Sequence, residues 1–298
     1  MFSDDTQARP FDHLPMGTVI DRYIIERPLA DGGFSAVYLA RQLSDQVQVV
    51  IKEYLPRKLS YRNWEGQVVP HNDETRGPFL RGRKFFVEEA RMLATLKHPN
   101  IVDVMGFFHA NATVYMVMHY DYGKNLRWYL QNRPNQLDEA FLLRLADRML
   151  DALETIHSHG LLHLDLKPEN ILIRPGHDPL LLDFGAARLL SGSGNWKGSS
   201  KVRTPGFSPP EQYNQNIPIG PWSDLYALGA TLWTCLDRRP PPPVPKRFEH
   251  DTLKSAVRQY RDRASKGFLY AIDQALNLDP GQRPQAVAEF RELLNQIG

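Results

Sequence analysis

His163-Leu164-Asp165-Leu166-Lys167-Pro168-Glu169-Asn170, followed thirteen residues after its last member by Asp183-Phe184-Gly185, is the stretch that decides the fold. It sets one carboxylate, Asp165, where it can accept a proton from a hydroxyl. It sets an amide, Asn170, and a second carboxylate, Asp183, where they can hold divalent metal against a polyphosphate. That division of labour is the chemistry of phosphoryl transfer. Between the two motifs, residues 171–174 and 180–182 read as a short strand pair that folds the second acid back beside the first. Either motif alone is weak evidence. Together, in this order and at this separation, they are specific.

Working towards the N-terminus, residues 23–29, 37–40, 47–54, 102–108 and 113–119 read as strands, rich in β-branched and aromatic residues. Residues 56–82 read as a long connection rich in Arg, Pro, Gly and Asn, an insertion or functional loop. A helix is predicted over 84–96, with Phe85, Val87, Met92, Leu93 and Leu96 as its apolar stripe and His98-Pro99-Asn100 marking its end. The hairpin Leu29-Ala30-Asp31-Gly32-Gly33-Phe34-Ser35-Ala36-Val37-Tyr38 has small residues that let backbone N–H groups approach phosphate oxygens, although a plain glycine turn has the same composition. Val49-Val50-Ile51-Lys52 puts a lysine among apolar neighbours, where it needs a counter-charge, and Glu89 on the following helix is the natural one.

From Tyr122 onward the pattern turns helical. Asp138 is expected to cap a helix running to about His157, with Leu142, Leu145, Met149, Ala152 and Ile156 on one face. Residues 223–236 are nearly all apolar, as in a buried central helix. Further helices are expected near 252–261, 267–277 and 284–297, the last with Pro284 in its first turn. Pro240-Pro241-Pro242-Pro243 reads as a stiff loop rather than a partner-binding polyproline segment.

The 298 residues are 42% hydrophobic, enough for a large core or two lobes. A formal net charge of +2, from 36 basic and 34 acidic residues, gives no reason to expect nucleic acid or an anionic membrane surface as a partner. The single cysteine, Cys235, lies in an apolar run and reads as an inert core thiol in a reducing compartment. No apolar run reaches the ~20 residues that cross a bilayer. Residues 1–17 read as a tail with charges and prolines rather than a signal peptide. The expectation is a soluble, cytoplasmic chain, whole or the cytoplasmic part of a longer membrane-anchored one.

These residues resemble those of eukaryotic-type protein kinases, specifically the bacterial Ser/Thr group. The resemblance runs from about Tyr23 to Ile297 and also rests on Ile51-Lys52-Glu53-Tyr54-Leu55-Pro56, on Glu89-Ala90-Arg91 with the downstream His98-Pro99-Asn100-Ile101-Val102, and on Thr204-Pro205-Gly206-Phe207-Ser208-Pro209-Pro210-Glu211-Gln212-Tyr213. It implies an α+β, two-lobed fold: a small sheet-plus-helix lobe over 18–119, a hinge over 119–123 and a mainly helical lobe over 124–298. It implies transfer of the ATP γ-phosphate to Ser/Thr hydroxyls of proteins, the chain itself included, in bacterial signalling. By this resemblance Lys52 holds the α- and β-phosphates and pairs with Glu89. Asp165 orients the attacking hydroxyl and takes its proton, Lys167 neutralises charge at the transferring phosphoryl, and Thr204 ties the two together. Asn170 and Asp183 hold Mg²⁺, or Mn²⁺ in its place. Leu29, Gly32, Gly33, Val37, Val50, Met118, His119, Tyr120 and Leu172 surround the nucleotide. Glu211 pairs with Arg283 in the core, Asp224 binds the backbone of the His163 loop, and His163 is a packed anchor. Phospho-reading partners of the FHA type are implied by the same likeness.

The chain departs from the family pattern at five places. Leu164 replaces the arginine that meets an activation-segment phosphate, which points to activity independent of that phosphate. Ala30 and Ser35 stand where the loop has glycines, Val50 where the pocket ceiling has alanine, and His119 where the hinge has glutamate. Ser191, Ser193, Ser199 and Ser200 are candidate autophosphorylation sites in a Ser/Gly-rich segment. The altered loop and Val50 motivate a second reading, a pseudokinase scaffold that only binds. A small-molecule phosphotransferase shares the Asp165, Asn170 and Asp183 pattern, but the segment 204–211 and Asp224 argue against it.

Overall fold

The computed structural model describes residues 13–184, 188–190, 196–197, 203–214 and 216–296, with the backbone alone for 188–190 and 196–197. The chain divides into two compact units, Met1–Lys97 with Asp103–Asp121, and His98–Val102 with Tyr122–Gly298.

The first unit holds β1 (Val19–Ile20), β2 (Tyr23–Asp31), β3 (Ser35–Gln42), β4 (Gln48–Tyr54), β5 (Ser60–Arg62), β6 (Val68–Pro70), α1 (Asp73–Thr95), β7 (Val104–Ala110) and β8 (Thr113–His119). Six of these strands form one antiparallel sheet in the order β1-β2-β3-β4-β8-β7. The central strands are β-branched and aromatic on both faces, and every residue of β8 except His119 is buried. Strand alternation at the end of β4 sends Lys52 and Glu53 to opposite faces. Glu53 is fully buried and accepts from Tyr38 Oη at 2.8 Å, from Tyr115 Oη at 2.7 Å and from the Arg62 guanidinium. Burial works against the charge of Arg62, and Glu53 beside it more than compensates, raising its pKa. Arg62 thus fastens the β5–β6 hairpin to the back of the sheet.

The expected 56–82 connection is instead the β5–β6 hairpin followed by the first turns of α1, and α1 starts at Asp73 rather than at 84. The Pro and Gly content of that stretch includes Gly77-Pro78 inside the helix, and a cap further upstream settles the start. Asn72 Oδ1 accepts from Thr75 N at 3.0 Å, and Asn72 N donates to Thr75 Oγ1 at 3.1 Å. Tyr54 holds the turn that contains the proline by donating from its hydroxyl to Phe79 O at 3.2 Å. The buried stripe is Phe79, Phe86, Ala90 and Leu93, so Phe85, expected inside, faces solvent one position away.

The second unit holds β9 (Lys124–Asn125), α2 (Leu126–Asn132), α3 (Glu139–Ser158), β10 (Leu161–Leu162), β11 (Ile171–Arg174), β12 (Asp178–Leu181), β13 (Arg188–Leu190), β14 (Trp196–Lys197), α4 (Pro210–Tyr213), α5 (Pro221–Asp237), α6 (Val244–Glu249), α7 (Ala256–Gln259), α8 (Lys266–Ala275) and α9 (Val287–Leu294). Asp138 caps α3 as expected, accepting from Phe141 N at 2.9 Å, and the expected face is buried. Every residue of α5 from Ser223 to Leu236 is buried. Its Gly229 lets α8 come close: a Cβ there would stand 2.7 Å from that of Ala275. Cys235 is buried in α5, and burial pushes its thiol pKa up to about 12, in keeping with an inert thiol.

His98–Val102, within the span expected for the small lobe, packs in the second unit. Asn100 Nδ2 donates to Pro179 O at 2.6 Å, and Val102 N donates to Leu181 O at 3.0 Å. Two helices are shorter than expected. In 252–261 only α7 is helical, and α9 begins at Val287, leaving Pro284 outside it. Arg283 is pinned by its guanidinium just upstream, which fixes extended backbone there. The proline run lies in the loop between α5 and α6, as expected, and Pro240 and Pro241 abut Gly206 (φ +90°).

Candidate active site

In the first unit, β4 carries Lys52 with its ammonium 3.8 Å from Glu89 Oε1 on α1, both side chains largely buried. The Phe86 ring lies 5.9 Å from the same ammonium. Along the sheet Val37 stands opposite Lys52, and Val50 opposite Met118. Gly32 and Gly33 form the tip between β2 and β3, closed by Gly32 N donating to Ser35 O at 2.9 Å. Leu29 lies in β2 just before the tip, and Ala30 pairs with Val37 across the hairpin. His119 ends β8 with its N–H committed to Asp103 O at 2.9 Å, and Tyr120 follows it. His119 Nδ1 lies 3.6 Å from Asp121 Oδ2.

In the second unit, the loop after β10 and the segment before α4 bring four expected residues into one hydrogen-bonded group. Lys167 Nζ donates to both Asp165 oxygens, at 2.9 and 2.7 Å. Thr204 Oγ1 donates to Asp165 Oδ1 at 2.7 Å and accepts from Lys167 Nζ at 3.1 Å. Asn170 Nδ2 donates to Asp165 O at 2.8 Å and to Asp165 Oδ2 at 3.1 Å. The carboxylate is therefore oriented by an ammonium, a hydroxyl and an amide. Binding Asn170 through its nitrogen also fixes which end of the amide is the oxygen. Ile171↔Leu181 pairing brings the chain back, so that Asp183 lies two residues beyond β12, exposed and at φ +46°. Leu172, in β11, pairs with Asn125. Gly185 lies outside the described residues, as do Ser191, Ser193, Ser199, Ser200 and residues 1–12 of the expected tail.

The loop itself is held from beneath. Asp224, fully buried at the start of α5, accepts from His163 N at 3.0 Å and from Leu164 N at 2.7 Å, with His157 Nε2 at 2.8 Å. Burial alone would raise its pKa; the His157 imidazole, His163 and the Leu164 N–H outweigh burial and hold it below the ordinary value. His163 is fully buried, its Nδ1 accepting from Asp165 N at 3.2 Å and its ring 4.7 Å from that of Phe184. An Nδ1 that accepts leaves Nε2 to donate, and Nε2 lies 3.2 Å from Leu182 O. Leu164 is buried at φ +61° with Leu162 and Ile219 around it, and its carbonyl accepts from Gln212 Nε2 at 2.9 Å. Glu211 and Arg283 pair at 2.7 and 3.2 Å with no exposed side-chain surface, and Ser223 Oγ donates to the same carboxylate at 2.7 Å.

Three features escaped sequence reasoning: the His157 contact to Asp224, the Ser223 contact to Glu211, and the Glu53 network. The only local signal was an acid directly after Lys52 in a strand buried on both faces.

The sequence pattern of the protein kinase domain matches residues 23–296. Serine/threonine-protein kinase D of Synechocystis sp. is 28% identical over 94% of this chain and 53% of its own length. Serine/threonine-protein kinase pkn2 of Myxococcus xanthus is 31% identical over 94% of this chain and 33% of its own. The chain thus spans about half the length of the first relative and a third of the second. The solved structure described as PpkA-294, apo form, superposes with a TM-score of 0.84 at 35% identity, covering 96% of this chain and all of that one. With that match running almost end to end, and with a threonine from the segment before α4 joining an acid, a lysine and an asparagine on the loop after β10, the chain belongs to the protein kinase family.

Proposed function

We propose that the chain transfers the γ-phosphate of ATP to serine and threonine hydroxyls of proteins. The observation that carries this reading is the Asp165 carboxylate bound at once by Lys167, Asn170 and Thr204. In the reaction Asp165 orients the acceptor hydroxyl and takes its proton. Lys167 neutralises charge on the transferring group, and Thr204 fixes the spacing of that pair. Lys52, held by Glu89, contacts the α- and β-phosphates. Leu29, Gly32, Gly33, Val37, Val50, Met118, His119, Tyr120 and Leu172 surround the nucleotide. Most of the rate enhancement in such a transfer is electrostatic positioning, because the protein does little covalent chemistry.

Protein kinases as a family use ATP with a divalent metal. The amide oxygen of Asn170 and the carboxylate of Asp183 are hard oxygen donors that suit Mg²⁺, with Mn²⁺ accepted by the same set. When bound, the cation offsets negative charge on the β- and γ-phosphates. A cytoplasmic setting, where ATP is available, fits this reading; no described helix is long and apolar enough to cross a membrane. FHA-type readers of the phosphorylated products fit the same reading. The pseudokinase alternative finds no support in the residue set, since Lys52, Glu89, Asp165, Asn170 and Asp183 all stand. Leu164, buried and carrying no charge, has nothing to offer an activation-segment phosphate, so activity is proposed to be independent of one.

Titration with a non-hydrolysable ATP analogue tests the nucleotide half. The wild type is expected to bind it more tightly with Mg²⁺ than without, and Asp183→Asn is expected to lose that difference. Equal metal dependence in the variant would remove Asp183 from the role.

A further inference from the structure

The nucleotide loop carries a carboxylate. Asp31 ends β2 directly before Gly32, in the segment whose backbone N–H groups are proposed to approach a triphosphate. A negative side chain there is unfavourable unless something neutralises it. One cation does so, with a histidine standing beside it. The Arg57 guanidinium bonds Asp31 Oδ1, and His13 Nε2 lies 2.7 Å from Asp31 Oδ2. Neither belongs to the hairpin: Arg57 lies three residues beyond β4, and His13 precedes β1.

Arg57 and its neighbour Leu55 also hold the loop tip through the backbone. Arg57 N donates to Gly33 O at 3.1 Å, and Leu55 N donates to Phe34 O at 3.0 Å. Arg57 is itself fixed, since its carbonyl lies 2.9 Å from His71 Nε2. His13 is seated by Leu14 N donating to Tyr38 Oη at 3.2 Å and by its ring meeting that of Tyr38 edge-on at 6.0 Å. The tip therefore hangs from the chain that continues the Lys52 strand. This matters here because Ala30 and Ser35 replace two glycines of the usual loop, so glycine freedom is confined to Gly32 and Gly33 at the tip.

We propose that Asp31, Arg57 and His13 form a latch that positions the nucleotide loop against the strand carrying Lys52 and cancels the charge that Asp31 would otherwise present to the phosphates. The latch rests on the nucleotide reading above. Asp31 and Arg57 are positioning residues.

The two functions of the latch give a sign pattern that a plain surface ion pair does not. Arg57→Ala removes the side-chain tether of the loop, keeps the backbone bonds, and leaves Asp31 without its cation. Adding Asp31→Ala removes the uncompensated charge. In titrations of the whole chain with a non-hydrolysable ATP analogue and Mg²⁺ at low salt, R57A is expected to bind roughly fivefold more weakly than wild type, the scale of about 1 kcal/mol for a partly exposed pair. The double variant D31A/R57A is expected to bind more tightly than R57A alone. Both side chains lie partly at the surface, and circular dichroism confirms that each variant is folded before titration. A wild type and an R57A of equal affinity, or a double variant no tighter than R57A, would overturn the latch while leaving the nucleotide site standing. A wild type that binds no analogue would remove the nucleotide reading, and the latch with it.

Discussion

A carboxylate without solvent must have its charge met by the protein, and Asp224 meets it with two backbone N–H groups and the His157 ring. Its pKa in the folded chain is held below the ordinary value, so the unfolded chain binds the proton more readily. The stability it contributes is then present above the unfolded value of about 3.9 and is lost as pH falls through the depressed folded value. Asp224→Asn is expected to cost roughly 3 kcal/mol at neutral pH. In urea unfolding the gap between wild type and variant is expected to stay constant above about pH 5 and to narrow below about pH 4. A gap that ignores pH would show that the charge of Asp224 is not what the His163 loop needs. Glu211 and Arg283 make the parallel case with a strong cation. Glu211→Gln leaves a guanidinium with no exposure facing a neutral amide, and a loss of about 3–5 kcal/mol is expected by denaturant titration. Replacing both partners by apolar residues of similar volume is expected to recover part of it. The ion pair and the Asp224 contacts to the loop were legible in the sequence through the family resemblance. Their further partners, Ser223 and His157, were not, because a serine next to an aspartate and a histidine near a helix end have many other uses.

At the scale of elements, local signals worked where cap and stripe agreed. Asp138 announces α3, and the 3.6-residue spacing of its apolar positions gives its buried face. They failed at α1, whose first turns fall in a stretch read as a connection for its Arg, Pro, Gly and Asn content, while the cap formed by Asn72 and Thr75 is less recognisable than a Ser/Glu box. Proline at the sixth helical position removes the N–H that would meet the carbonyl of Glu74. The first turns must therefore lean on the cap and on the Tyr54 contact to Phe79. Asn72→Ala is accordingly expected to lower stability by about 1 kcal/mol in denaturant unfolding. An unchanged midpoint would mean that tertiary packing alone sets where α1 begins. The same helix carries Glu89, so loss of that cap would bear on an element the chemistry uses. Exposed Phe85 beside buried Phe86 shows a further limit of pattern reading: two adjacent aromatics point in different directions, and packing selects between them.

For the molecule as a whole, the fold class was legible through a family resemblance carried by a few short motifs, because phosphoryl transfer constrains residue types and their order more tightly than it constrains packing. The Glu53 network and the Asp31 latch stayed hidden for the opposite reason. Their members, Tyr38, Glu53, Arg62 and Tyr115 in one case and His13, Asp31 and Arg57 in the other, meet only through strand pairing and loop return, which leaves no periodic trace in sequence. The central claim is that Asp165, gripped by Lys167, Asn170 and Thr204, makes this chain a Ser/Thr phosphotransferase that needs no phosphate on its activation segment. Its most direct test is label transfer from γ-labelled ATP with Mg²⁺ to protein, using phosphatase-treated chain and its Asp165→Asn variant, followed by phosphoamino-acid analysis. The account predicts phosphoserine and phosphothreonine from the treated wild type and a loss of at least about a hundredfold in the variant, the scale of positioned acid–base catalysis. Equal labelling by the two proteins, or none from the treated wild type, would contradict it.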